Sequence, residues 1–158
     1  MPRELDFLSI DIDGWDYFAW SDLEEYSPRV VCIEYNPTIP LHVVYIQERS
    51  ESVRQGCSLR AMVELAERKG YRLVETTLYN AFFVKEEIYP MFLPWLPPGC
   101  AGDVEELCEI SMGTDFWQLY DGTLAISGCK KLLWHRIPIS QEALQVLPPS
   151  QRGKFPFA

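Results

Sequence analysis

Two carboxylates two positions apart, Asp11 and Asp13, close a short apolar run, and Glu34 and Asn36 close the next one. If the two runs are neighbouring strands, the four oxygen-bearing side chains converge in one crevice, because open α/β sheets bind ligands beyond the carboxyl ends of their strands. Two kinds of chemistry use such a set. Asp13 or Glu34 can act as general base, taking the proton from a hydroxyl as its oxygen reacts. Alternatively, Asp11, Asp13, Glu34 and Asn36 offer oxygen ligands to a hard divalent cation, which would acidify a bound hydroxyl as a Lewis acid. Alternation within a strand puts Asp11 and Asp13 on one face and Ile10 and Ile12 on the other. Both carboxylates cannot then be buried unpaired without a large cost. A structural role stands beside the chemical one: Asp11 can accept from the backbone N–H groups of a turn at Gly14, and Asp16 can begin a helix as an acid suited to its dipole.

Further candidates lie close by in sequence. His42 follows Asn36 in a long irregular stretch and is a candidate base or substrate contact. His135, the other histidine, is expected to pack in the C-terminal part. Trp15, ahead of Tyr17, Phe18 and Trp20, can wall a binding site, although aromatic residues at helical spacing also mark a core. The five cysteines are scattered, with no C-x-x-C pair and no histidine at ligand spacing. They read as reduced thiols of a cytoplasmic protein, and no zinc site is expected.

The elements that must position these groups follow from pattern. Residues 7–12 form an apolar run broken by Gly14, and residues 29–35 form a second with a Val-Val-Cys-Ile centre, the mark of a buried, parallel strand. Between them, residues 15–26 carry an aromatic helical face that must stop before Pro28. Residues 36–56, with two prolines and a charged centre, predict a long loop of the kind that makes lids and binding loops. Ser58 caps a helix over 59–69 whose apolar stripe ends at Gly70. Residues 71–77 and 81–85 read as a closing hairpin. The order β-α-β-loop-α-β-β predicts an α/β fold, a partial doubly wound sheet whose last strand turns back antiparallel. Residues 1–90 make up this sheet, 91–147 a Pro- and Trp-rich irregular extension of the same domain, with a helix over 104–111 and a strand over 123–127, and 148–158 a flexible tail.

With 158 residues, 47% of them hydrophobic, there is material for one compact core. The formal charge of -9 repels phosphate backbones and anionic lipid, so neither nucleic acid nor a membrane surface is an expected partner. No stretch reaches the roughly 18 apolar residues that a membrane span requires.

Three motifs in order carry a resemblance: Asp6-Phe-Leu-Ser-Ile-Asp-Ile-Asp-Gly-Trp-Asp16, Pro28-Arg-Val-Val-Cys-Ile-Glu-Tyr-Asn-Pro37, and Gly56-Cys-Ser-Leu-Arg-Ala-Met-Val-Glu-Leu-Ala66 followed by Lys69-Gly-Tyr71. Over about residues 4–86 the chain resembles the FkbM-related methyltransferases. The resemblance implies a Rossmann-like class I fold, S-adenosylmethionine as methyl donor, and a hydroxyl of a small molecule or sugar as acceptor. On that basis Asp13 and Glu34 are the catalytic candidates, Asp11 and Tyr35 donor contacts, and Asn36, His42 and Trp15 acceptor contacts. The Gly-rich turn and the acidic residue that hold the donor in such folds have no counterpart here, so the chain corresponds to the C-terminal half. Met1 is then expected to be an internal start or a truncation, the chain alone to bind the donor weakly, and an exposed sheet edge to pair with another chain. The alternative is a non-catalytic interaction or scaffold domain derived from that fold.

Overall fold

The computed structural model describes residues 5–98, 100, 104–108, 113–132 and 135–153. The chain divides into two compact units, Met1–Glu109 and Ile110–Ala158. In the first, the strands β1 (Phe7–Ile10), β2 (Val30–Glu34), β3 (Tyr71–Thr76) and β4 (Asn80–Lys85) form one sheet in the order β1-β2-β4-β3. β1 and β2 run parallel, with Phe7 opposite Val30 and Ile10 opposite Ile33. β4, last in sequence, lies antiparallel between β2 and β3. The fold of this unit is therefore mixed α/β, with parallel and antiparallel strands in one sheet.

The helices are α1 (Asp16–Ser21), α2 (Leu59–Arg68) and the short α3 (Val104–Leu107). Leu59, Met62, Leu65 and Ala66 of α2 recur at helical spacing and are buried in one cluster with Val31, Ile33, Leu73 and Phe83 of the sheet. Each of the larger side chains stabilises the fold by roughly 1.5–3 kcal/mol through removal from water. Trp20 of α1 is fully buried and meets Tyr71 and Phe83 at ring-centroid distances of 5.6 and 5.1 Å. Ser58 caps α2 by accepting from Ala61 N (3.2 Å) and also accepts from Tyr45 N (3.0 Å), which ties the preceding loop to the helix.

Three elements depart from the pattern. α1 ends at Ser21, well short of residue 26, because Glu24 and Glu25 oppose a helix C-terminus and Lys69 Nζ donates to Ser21 O (3.4 Å) and Leu23 O (2.9 Å), giving the carbonyls there a partner. β1 ends at Ile10, so residues 11–13 belong to a turn. The stretch expected as open loop folds back on itself: Ile46 bridges Cys57, and Gln47 N donates to Gly56 O (3.0 Å). Of the helix expected over 104–111, α3 and Cys108 are described, and residues 109–111 lie outside the described residues.

The second unit is built on a hairpin, β5 (Thr114–Gln118) with β6 (Leu124–Gly128), and a short pair, β7 (Lys131–Leu132) with β8 (Ile137–Pro138). The expected strand over 123–127 is thus found as β6, but its partner is β5 in a separate two-stranded sheet. The Gln145 side-chain amide accepts from Leu124 N (2.9 Å) and donates to Leu124 O (2.7 Å), pairing with β6 as a strand would. Residues 148–153 form turns in which Arg152 pairs with Glu142 and Gly153 N donates to Asp121 O (3.2 Å); residues 154–158 lie outside the described residues. His135, expected to pack, is exposed. No helix among the described residues is long and apolar enough to cross a membrane.

Candidate functional site

Carboxylate oxygens of Asp11, Asp13 and Glu34 lie within 4.8 Å of one another where the parallel strands β1 and β2 end. Asp11 and Asp13 are exposed and Glu34 is half-buried. Since β1 stops at Ile10, the turn rather than strand alternation aims the two aspartates. Asp13 has a φ of 55° and Gly14 one of 111°, both in the left-handed region. An aspartate tolerates that conformation at a cost of roughly 1 kcal/mol, so neighbouring contacts must hold it.

The hydrogen bonds come from the buried Asp16, and a loop held by the buried Gln47 packs against the turn. Asp16, 2% exposed, accepts from Ile12 N and Gly14 N, each at 3.0 Å. The turn's N–H groups are therefore held by Asp16 and not by Asp11, which corrects the role expected of Asp11 as the brace. From its place at the start of α1, Asp16 reaches back over both donors, whereas Asp11 opens toward Glu34. On the other side, the buried Gln47 accepts through Oε1 from Gln55 N (2.9 Å) and Gly56 N (2.8 Å). A Cβ on Gly14 would come within 2.8 Å of that same Oε1 and within 3.4 Å of the backbone at Arg54 and Gly56. Only glycine admits the folded-back loop this close.

Packing raises the proton affinity of Glu34. Burial, and then the negative charges of Asp16, Asp11 and Asp13, push its carboxyl up to about 7. A carboxyl that exchanges its proton near neutral pH suits general acid–base work. The same three carboxylates offer oxygen ligands of the type that a hard divalent cation takes.

The remaining candidates are distributed around this cluster. Tyr35 points to the sheet face opposite Glu34, is 3% exposed, and donates its hydroxyl to Thr77 O (3.1 Å) with Cys108 Sγ at 3.5 Å. Burial, reinforced by the Cys108 contact, holds that phenol well above its ordinary range. Its side chain is part of the core. Asn36 donates to Gln55 O (2.8 Å) and accepts from Thr38 N (2.9 Å), so its amide closes the base of the loop. His42 is exposed on that loop. Trp15 is half-buried and packs edge-on to Phe18 at 5.7 Å; Phe18 in turn lies under the Arg49 guanidinium at 4.5 Å.

The structure thus joins Asp11, Asp13 and Glu34, and it adds Asp16 as the group that holds their turn and Gln47 as the group that folds the loop against it. Asp16 could have been found from its place two residues beyond a Gly turn; for Gln47 the sequence carries no signal. No family model, no curated protein and no solved structure matches the chain.

Proposed function

We propose that this chain supplies the acceptor side of an O-methyltransferase of small-molecule or sugar hydroxyls, with Glu34 as general base. The observation that supports this reading is a carboxyl with its pKa pushed up to about 7, beside two further carboxylates at the ends of parallel strands. In its ionised form Glu34 would accept the hydroxyl proton at one carboxylate oxygen, and Asp13 would orient the acceptor through a hydrogen bond. Asp16 and Gln47 keep the turn from relaxing. S-adenosylmethionine would supply the methyl group, but the described residues do not make its site. Tyr35 is sealed in the core, Asp11 offers one open carboxylate, and among the described residues no Gly-rich turn follows a strand. A divalent cation on Asp11, Asp13 and Glu34 is the other way to acidify the same hydroxyl.

A non-catalytic scaffold is the second reading, favoured by the structural engagement of Tyr35 and Asn36. Transfer of labelled methyl from S-adenosylmethionine to a panel of phenols and polyols separates the two. Transfer that falls by about 100-fold or more in Glu34→Gln supports the enzyme. Transfer that Glu34→Gln leaves unchanged removes Glu34 as the base, and a folded chain that binds none of these phenols and polyols in calorimetric titration supports the scaffold.

A further inference from the structure

β1 is an edge strand: β2 pairs with one side of it, and among the described residues no strand pairs with the other. Val30 N donates to Asp6 O (3.1 Å), so alternation turns the polar backbone groups of Leu8 and Ile10 toward β2 and those of Phe7 and Ser9 outward. The strand's four residues include no lysine, no proline and no bulge, the usual protections of an open edge. Phe7 and Ser9 are exposed on the face away from α2, and Ile12, just past the strand, is half in solvent at 50%. Polar backbone and apolar side chains therefore lie open together along one line.

Charge selects what can dock there. Asp6, whose exposed carboxylate already meets Arg29 Nη1 at 3.4 Å, stands at one end of β1, and Asp11 and Asp13 at the other, in a chain of net charge -9. A second copy paired antiparallel with Phe7 opposite Ser9 would set Asp6 opposite Ile10 and Asp11 opposite Leu5, giving the acids of neither copy a new cation, which a basic-ended segment would supply. We propose that the outer edge of β1 takes up an extended segment of another protein, apolar in its centre and basic at both ends, as an additional strand. Main-chain hydrogen bonds to Phe7 and Ser9 would hold it, and lysines or arginines opposite Asp6 and Asp11 would set its register. This inference is independent of methyl transfer.

The probe is the peptide Lys-Val-Thr-Val-Val-Lys, compared with its counterpart carrying Glu at both ends, on the full chain by NMR titration. The basic peptide should shift the Phe7–Ile10 resonances, slow amide exchange at Phe7 and Ser9, weaken with salt, and bind about tenfold or more tightly than the acidic one. The double variant Asp6→Lys, Asp11→Lys should reverse the preference. Binding of neither peptide, equal binding of both, or a sedimentation dimer whose Phe7 and Ser9 amides are protected without peptide would overturn the proposal.

Discussion

In the first unit Trp20, Val31, Ile33 and Phe83 are wholly out of solvent. Among the described residues of the second unit Ile126 is the one buried hydrophobic, while Phe116, Trp117 and Tyr120 stand exposed. Both units contain strands rich in aromatic and aliphatic residues, so composition does not separate them. The first has a four-stranded sheet with an amphipathic helix laid on one face, and that closes a core. The second has pairs of strands, which hold apolar surface on a ribbon too narrow to exclude water. A precise arrangement of carboxylates needs the first kind of support, and that is where the candidate site lies.

The contrast breaks most visibly at tryptophan. Trp20→Ala should cost about 3–5 kcal/mol in urea unfolding, because the cavity lies between Tyr71 and Phe83, whereas Trp117→Ala should change stability by less than about 0.5 kcal/mol. Equal costs would mean that the hairpin is packed as tightly as the sheet. Next in size, Asp16→Ala leaves Ile12 N and Gly14 N without an acceptor and should lower stability by roughly 2–4 kcal/mol. Asp11→Ala should leave thermal melting nearly unchanged, which sharpens the division between a buried brace and an exposed ligand group.

The smallest effect depends on pH. Glu34 has its pKa raised from 4.5 to about 7, so its contribution to stability is complete below 4.5 and is lost as pH rises through 7. Glu34→Gln should therefore raise the melting temperature at pH 8 and leave it unchanged at pH 4. A fall at pH 8 would show that the ionised carboxylate is stabilised by a partner and would remove the reason for its raised pKa.

Much of the first unit was legible in the sequence. The apolar runs located β1 and β2, Ser58 and Gly70 bounded α2, and the hairpin of β3 and β4 was anticipated along with its antiparallel sense. These features rest on local chemistry: periodicity, a capping oxygen, a glycine with φ of 78°. The second unit is less legible. The sequence pattern pointed to β6 but not to its partner, since short alternating runs specify a strand without naming what it pairs with.

For the site, the sequence by itself determined that acids stand at the ends of two strands, because apolar runs that end in Asp-Ile-Asp-Gly and in Glu-Tyr-Asn must bring them there. Which acid does what was decided only by tertiary structure. Asp16 became the brace because α1 starts under the turn, Tyr35 was drawn into the core by strand alternation, and Glu34 acquired its high proton affinity from burial beside three other carboxylates. Dielectric and charge act through space, and the loop that returns to Gly14 comes from residues more than thirty positions away, so no local pattern encodes the result.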